Sequence, residues 1–357
     1  MHATRRNFLK HAVSVGMVVT WPAKWAWAGP GHARATRVLA AWQLQQNGQH
    51  QVGLLDLTQH GPRFTEHVCN VPSRPHGLTW LGPEECLVVA RRPGDWLMRI
   101  HWGSGQMQRH WLDHERSLNG HALRLAQEPW FYTTETDRYS GQGRLVKRDL
   151  QSLETIDVWP TLGQDPHALI ALPAGVAGLQ QGSILVANGG IPTHAQMGRA
   201  KVNLDDMDSS LVAMHPGTGE VLGRWQLEDR LLSLRHLALN RAGNTVAVAM
   251  QAQHAKERMR HASPVLALLN ASGLKAVPSS TSRGGYAGDV VAMPNGFAYS
   301  CTLHNTVCTT NTQGELLHER SLQQPCALAY SDAGLHCGQQ QEGWAMALDN
   351  HWLVKPT

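Results

Sequence analysis

The apolar residues of this chain come in short runs that are separated by turns, and hardly any stretch repeats with the period of a helix. The runs have the length of strands. Glycine and proline mark the turns between them, as at Gly82-Pro83, Pro93-Gly94, Pro216-Gly217 and Gln313-Gly314. This pattern predicts an all-β protein built from many short strands.

One short signature recurs where the apolar runs begin. Its first copy is Arg74-Pro75-His76-Gly77-Leu78, and the other histidine copies are centred on His121, His167 and His236. A fifth copy has Cys326 at the histidine position. The first two intervals between the histidines are about 45 residues and the third is longer, and such a period is typical of a propeller or another repeat array.

The signature divides the chain into blocks of four strands, each beginning with an innermost strand. The first block is predicted as strands 76–80, 86–91, 97–102 and 108–112. Residues 37–71 supply further strands, although this block is incomplete. We therefore predict an all-β β-propeller of seven four-stranded blades, closed by strands from both termini, with six and eight blades as alternatives. Closing the ring removes exposed sheet edges.

The first 28 residues predict a twin-arginine signal peptide. Residues 4–10 contain the paired arginines followed by Phe and Leu-Lys, residues 12–20 are weakly apolar, and residues 26–28 form an A-x-A cleavage site. A membrane anchor is the alternative, but an anchor needs about 20 apolar residues, and polar residues interrupt this stretch. We expect residues 29–357 to form a single propeller domain in the periplasm, with no membrane span.

The overall composition changes this picture little. Charged residues make up 16% of the chain and the net charge is +4, which is too mild for a nucleic-acid-binding protein. No nucleophile elbow, phosphate-binding loop or C-x-x-C-H haem attachment site is present. The exception is histidine, with 21 residues, which is high for a chain of this length.

Two sets of residues share one face of a propeller, conventionally the top: the starts of the innermost strands and the loops after the second strands. The first set is a predicted ligand or metal ring of His76, His121, His167, His236 and Cys326. The second set, with the residue beside His236, gives the predicted top-face positions Arg91, Arg92, Glu135, Asn188, His194, Arg199, Lys201, Asn203, Arg235 and Gln251. The loop that follows Asn188 is the longest, and long loops in compact domains are often functional.

The ring allows two kinds of chemistry. Neutral imidazole is the commonest protein ligand for zinc, copper and iron, and Cys326 would add a thiolate. Arginine beside histidine suits an anion instead, such as a carboxylate-rich iron chelate, an oxyanion or the propionates of haem. A third interpretation is a ring that only hydrogen-bonds from blade to blade and to water.

The chain has six cysteines, which an exported protein can pair as disulfides. The best candidate pair is Cys301 with Cys308. They face each other across a hairpin if His304-Asn305 forms a two-residue turn.

A resemblance to a known family covers nearly the whole of the predicted mature chain. It is carried by Ala-Asn-Gly-Gly-Ile-Pro-Thr-His at 187–194, by Gly-Arg-Ala-Lys-Val-Asn-Leu-Asp at 198–205 and by the signature histidines. On these residues the chain resembles the domain-of-unknown-function 1513 family of twin-arginine-exported, propeller-like bacterial proteins. The resemblance implies a periplasmic iron-acquisition context, with imelysin-like and dihaem peroxidase-like proteins as partners.

These observations lead to one functional hypothesis and two alternatives. The hypothesis is a periplasmic binding or accessory protein for iron, an anionic chelate or haem, with a His/Arg-lined ligand or metal site at the top of the channel. The first alternative is a copper- or iron-dependent oxidoreductase. The second is a protein-interaction scaffold without a ligand of its own.

Overall fold

The computed structural model describes residues 19–20, 36–58, 61–192, 204–279, 281–339, 346–348 and 351–356. Of the predicted signal peptide, only Val19–Thr20 belongs to these residues. The signal peptide and the domain boundary at residue 29 therefore stay predictions.

The described residues form 28 strands in seven antiparallel sheets. In chain order the strands are β1 (Val19–Thr20), β2 (Thr36–Leu44), β3 (His50–Thr58), β4 (Gly61–Val71), β5 (Pro75–Gly82), β6 (Glu85–Ala90), β7 (Trp96–His101), β8 (Gln106–Trp111), β9 (Arg116–Leu123), β10 (Trp130–Asp137), β11 (Gln142–Asp149), β12 (Thr155–Gln164), β13 (Pro166–Ala171), β14 (Ile184–Asn188), β15 (Ser210–Met214), β16 (Val221–Trp225), β17 (Leu232–Leu239), β18 (Val246–Ala252), β19 (Leu266–Asn270), β20 (Gly273–Ala276), β21 (Asp289–Met293), β22 (Gly296–Cys301), β23 (Thr306–Asn311), β24 (Leu316–Ser321), β25 (Pro325–Ser331), β26 (Gly334–Gln339), β27 (Met346–Leu348) and β28 (Leu353–Val354).

Helices contribute little to the described part of the chain. There is one short α-helix, α1 (Glu257–Ala262), and there are 3-10 turns at Val176–Gly178, Leu204–Asp206 and Thr302–His304. The observed strands of the first block, β5 to β8, agree with the predicted ones to within three residues at each end. The all-β propeller prediction is confirmed.

The innermost strands contact one another around a closed ring. The order of contacts is β5, β9, β13, β17, β21, β25, β28 and back to β5. The C-terminal strands β27 and β28 both pair with β2, so the last segment of the chain supplies the innermost position of a sheet whose other strands come from the N-terminal side. The predicted closure by both ends of the chain is therefore confirmed.

The predicted number of blades is wrong. Six blades are at least four strands wide in the described residues, rather than seven: β5–β8, β9–β12, β13–β16, β17–β20, β21–β24, and β2–β4 with β27 and β28. The remaining sheet has only three strands, the hairpin β25–β26 and the short β1. This sheet is narrower because the next described strand after β26 crosses to β2 instead of extending the sheet.

The apolar core lies between adjacent blades. One cluster, for example, joins Leu185 and Leu211 of one blade to Leu234 and Met250 of the next. The middle strands are therefore buried on both faces, as in β14, while an outermost strand such as β24 is exposed along its whole length. This arrangement explains why the inner strands read as continuous apolar runs without alternation.

Candidate metal centre

Each of the five signature copies coincides with a β-bulge in an innermost strand. The strand register shifts at this position in every one of these blades, around Pro75–Gly77, His121, Pro166–Leu169, Leu234–His236 and Pro325–Leu328. A bulge bends the strand and re-aims a side chain, and bulges are common beside functional sites. The repeat seen in the sequence is therefore a repeated local distortion at one position of the blade.

Two glycines allow the innermost strands β5 and β9 of neighbouring blades to approach closely at their bulges. A Cβ on Gly77 would lie 2.0 Å from the carbonyl oxygen of Gly120, and a Cβ on Gly120 would lie 2.6 Å from the ring of His76. Gly120 also has a φ of +99°, which L side chains rarely adopt. Glycine at position 77 lets the two backbones approach, and glycine at position 120 leaves room for the imidazole of His76.

The structure brings His76, His121, His167 and His236 together and adds a fifth histidine, His351. We call these five residues the histidine cluster. In the order His76, His121, His167, His236, His351 and back to His76, the centroids of neighbouring rings are 4.6–4.8 Å apart. Four of the diagonals measure only 5.2–6.1 Å. Diagonals of a flat regular pentagon with such edges would be longer, so the rings form a compact, puckered group.

His351 was missed by the sequence analysis. It comes just before β28, and Trp352 beside it is buried against Ala327 and Gly338. A signal was present, because His351-Trp352-Leu353 has the same His-x-Leu spacing as three of the signature copies. The Pro, Gly or Arg that precedes the other histidines is absent, and His351 follows Cys326 by only 25 residues, well short of the repeat interval.

Burial keeps four imidazoles of the cluster neutral. The pKa values of His76, His121, His167 and His236 all lie well below 6.5, first because the rings are buried and second because of neighbouring positive or protonatable groups. For His76 these neighbours are other cluster histidines and Arg91. Neutral imidazole is the form that binds metal ions.

Several nitrogens of the cluster are buried without a hydrogen-bond partner in the described residues. They are His76 Nδ1 and Nε2, His121 Nε2, His167 Nδ1 and His351 Nε2. Buried polar groups in native proteins are nearly always paired, and each exception calls for a reason. Unpaired imidazole nitrogens that face one another form a ligand set for zinc, copper, iron or nickel.

The nitrogens lie close enough to hold ions in two groups of three. His76, His121 and His167 form the first triad, and His76, His236 and His351 form the second. In each triad the ligand nitrogens lie within 4.8 Å of one another. Both triads contain His76.

A buried ion group stands beside the cluster. Asp165 accepts hydrogen bonds from Arg92 and, at 2.7 Å, from Arg235. Burial and the neighbouring Arg92 lower the pKa of Arg235 to about 10, so the Arg235 guanidinium remains charged at neutral pH. The sequence analysis did not include Asp165, although it belongs to the third signature copy and adopts a left-handed φ of 51° there.

A second carboxylate lies on the side of His351. Asp289 Oδ1 is 3.6 Å from His351 Nδ1. The backbone N–H groups of Val290 and Leu328 donate to the Asp289 carboxylate and fix its position. A carboxylate beside one imidazole nitrogen orients the ring and leaves the other nitrogen for a metal ion.

Cys326, the predicted fifth member of the ring, belongs to neither triad in the described residues. It is partly exposed, and its Sγ lies 3.2 Å from where a Cβ on Gly288 would be. Its short side chain does not extend as far from the strand as an imidazole does. The structure therefore does not bring Cys326 into either group of three histidines, although its strand bulges like the others.

Glu135 and Asn188 lie inside strands rather than in top-face loops. Glu135 is fully buried in β10, where its carboxylate accepts hydrogen bonds from Arg148 and Arg116. Asn188 ends β14 and donates to the carbonyl of Thr161 and to Ser210. Both side chains join strands to each other, because a buried polar group is stable only with partners.

The other predicted top-face residues have mixed outcomes. Arg91 is close enough to His76 to lower its pKa, and Arg235 acts in the same way on three cluster histidines. Gln251 lies in β18 and pairs through its backbone with Tyr286. The predictions for His194, Arg199, Lys201 and Asn203 lie outside the described residues.

Cys301 and Cys308 are thiols in the structure and their side chains hydrogen-bond each other, so the predicted disulfide stays a prediction. The predicted two-residue turn is wrong. A 3-10 turn at Thr302–His304 precedes Asn305, and the register then places Cys301 opposite Thr306 and Cys308 opposite Tyr299. The longer turn shifts the two cysteines out of direct opposition.

The fold and the site define a β-propeller with a buried histidine cluster between its innermost strands. The chain belongs to the family described as "Protein of unknown function (DUF1513)", whose model matches residues 69–354. No curated protein matches the chain in sequence. None of the helices in the described residues has the length and apolar character needed to cross a membrane.

Two solved structures show the same fold at low sequence identity. A chain of a nidogen/laminin complex is 11% identical, with a TM-score of 0.51 over 90% of this chain and 98% of that one. A functionally unknown protein from Desulfotomaculum acetoxidans DSM 771 is also 11% identical, with a TM-score of 0.52 over 86% of each chain. At this identity the likeness concerns the fold alone.

Proposed function

We propose that this protein is a periplasmic metal-binding accessory protein and that the histidine cluster holds a transition-metal ion between the innermost strands. The observation that carries the proposal is the set of buried imidazole nitrogens that have no partner in the described residues. Each such group costs about 1–3 kcal/mol of stability when it stays unpaired. A bound metal ion satisfies several of them at once.

The ligand type narrows the choice of metal. Neutral imidazole suits copper, iron, zinc and nickel, whereas magnesium and calcium prefer oxygen ligands. Iron remains the biological expectation, since the resemblance to exported proteins of iron-acquisition loci implies it. Within the proposal, imelysin-like and dihaem peroxidase-like proteins are the expected periplasmic partners. The twin-arginine route is consistent with this function, because it exports proteins that have already folded around a metal.

The arginines beside the cluster are paired with a carboxylate, which weakens the case for an anionic chelate or haem as the ligand. Arg92 and Arg235 are both bound to Asp165, so their charges are already neutralised in part. An anion would have to compete with this carboxylate, and separating a buried ion pair is costly. Asp289, whose carboxylate lies 3.6 Å from His351 Nδ1, adds a negative charge beside the cluster, which favours a cation.

Metal analysis of the exported protein tests the proposal. The full chain, produced without a polyhistidine tag and recovered from the periplasm, should contain at least one equivalent of copper, iron, zinc or nickel. The double variant His76→Ala/His236→Ala, which removes ligands from both groups of three, should lose most of it. His336→Ala is the matched control, because His336 is also buried but lies in β26, outside the cluster.

Two results would overturn the proposal. One is a folded wild-type protein that contains no metal and takes up none when copper(II), iron(II) or zinc(II) is added. The other is a metal content that is the same in the double variant as in the wild type. Circular dichroism spectra of all three proteins establish that they are folded.

A further inference from the structure

The two triads of the histidine cluster have one member in common, and this shared member has an unusual environment. Both ring nitrogens of His76 are buried and without a hydrogen-bond partner in the described residues, and the residue is only 4% exposed. The two nitrogens of an imidazole point away from opposite sides of the ring. One metal ion can bind only one of them, and the other would remain unpaired at a cost of about 1–3 kcal/mol.

We propose that the histidine cluster is a two-metal site in which the imidazole of His76 bridges the ions. This inference rests on the proposed metal binding and adds the number of ions and the role of each histidine. One ion is held by His76, His121 and His167, and the other by His76, His236 and His351. Each ion then has three protein nitrogens and keeps open positions for an exogenous ligand.

The arrangement of the rings favours two ions over a single ion with five ligands. If all five histidines converged on one point, their ligand nitrogens would form one group, but the close nitrogens divide into two groups of three. His167 and His351, which belong to different triads, are the one pair of cluster rings without a close contact in the described residues. The cluster is therefore extended along the line that joins these two rings.

Bridging requires the loss of one proton. A neutral imidazole carries a proton on one nitrogen and a lone pair on the other. The first ion binds the lone pair of His76. When the second ion binds the other nitrogen, the proton leaves to solvent and His76 becomes an imidazolate with one negative charge. No electron is transferred in this step.

The flanking charges predict an order of filling. Asp289 lies beside His351 in the second triad, and its carboxylate favours a cation there. The positive charge of Arg235 acts on two ligands of the first triad, His121 and His167, but on one ligand of the second, His236, so it disfavours a cation more in the first triad. The triad that contains His351 should therefore fill first.

Copper(II) is a suitable probe because it has one unpaired electron. Metal-free full-length mature protein is titrated with copper(II), freed of unbound ion by gel filtration, and analysed for bound copper and for its electron paramagnetic resonance signal. We expect two copper ions per chain. The signal of the fully loaded protein should be well below that of two independent spins, because an imidazolate bridge couples them.

Single variants separate the two ions. His167→Ala and His351→Ala each damage one triad, so each should bind one copper ion with the full signal of one spin. His76→Ala removes a ligand from both triads and should abolish the coupling. His336→Ala, outside the cluster, should behave like the wild type.

Each other result would overturn the bridge. One copper ion per chain in the wild type means a single site and leaves the proposed metal-binding function standing. Two uncoupled ions, or a coupling that survives in His76→Ala, mean that His76 does not bridge. If the wild-type protein binds no copper, iron or zinc, both the proposed function and this inference are wrong.

Discussion

The imidazole of His351 meets that of His76 edge to face, with the ring centroids 4.7 Å apart. His76 lies on the first complete blade after the N-terminal strands, and His351 directly precedes the strand that closes the ring. The histidine cluster is therefore complete only when the propeller is closed.

Trp352 should anchor this closure. It is 3% exposed and packs in the core cluster that joins β2 and β3 to β25. Trp352→Ala should lower the free energy of unfolding by about 3–5 kcal/mol, because a large buried side chain is removed. Urea denaturation measures the loss. The control Trp111→Ala, at a tryptophan that is 52% exposed on β8, should cost far less, and equal losses would contradict the anchor role.

Gly120 should be required for the position of His76. Alanine there adds a Cβ against the imidazole and must also adopt a left-handed conformation, which costs about 1–2 kcal/mol. Gly175→Ala is a matched control, since its φ is +93° and no atom lies within 4 Å of the added Cβ. Gly120→Ala should be about 1–3 kcal/mol less stable than this control in urea, which is the typical penalty for overpacking. It should also bind less metal, whereas Gly175→Ala should bind the wild-type amount.

Asp165 should stabilise the fold through its two arginines. Asp165→Asn leaves Arg92 and Arg235 without a buried counter-charge, and breaking such a pair costs about 3–5 kcal/mol. Asparagine tolerates the left-handed φ of this position, so the change tests mainly the charge. Asp56→Asn, which breaks the half-exposed pair with Arg37, should cost at most about 1 kcal/mol. Similar losses in the two variants, measured by urea denaturation, would argue against the buried ion group.

Glu135 should matter for stability and not for metal binding. Glu135→Gln removes the charge that Arg148 and Arg116 share, and a loss of about 3–5 kcal/mol is expected in urea denaturation. The purified variant should retain the metal content of the wild type, because Glu135 bonds to neighbouring strands instead of the histidine cluster. A Glu135→Gln variant that is stable but contains no metal would contradict this prediction and would indicate that Glu135 takes part in metal binding.

His336 should make the protein less stable in mild acid. Burial lowers its pKa from 6.5 to about 4. Between these values the unfolded chain takes up a proton that the native state does not, so stability is full above pH 6.5 and falls as the pH decreases towards 4. The contribution is about 2 kcal/mol between pH 7 and pH 5, since one pKa unit corresponds to about 1.4 kcal/mol. His336→Gln should lose that much less stability than the wild type over this interval, as measured by urea denaturation at both pH values.

The repeated signature was sufficient to predict the fold class and four members of the cluster. A propeller repeats one local structure, and equivalent residues of the repeats must occupy equivalent positions around the axis. Cys326 occupies the equivalent position but belongs to neither group of three, because a thiol side chain is shorter than an imidazole. Glu135 is predicted in a loop, whereas β10 continues to Asp137, because no residue pattern in the sequence marks the exact end of a strand.

The sequence by itself determined the all-β architecture, the closed ring and the recurrence of histidine at one position of the blade. These features follow from local patterns of apolar runs, turn residues and spacing. Only the tertiary structure decided the number of complete blades, the entry of His351, and the pairing of Asp165 and Asp289 with charges from other blades. Those features depend on contacts between residues far apart in the chain, and the physical reason is ring closure, which brings the last innermost strand beside the first.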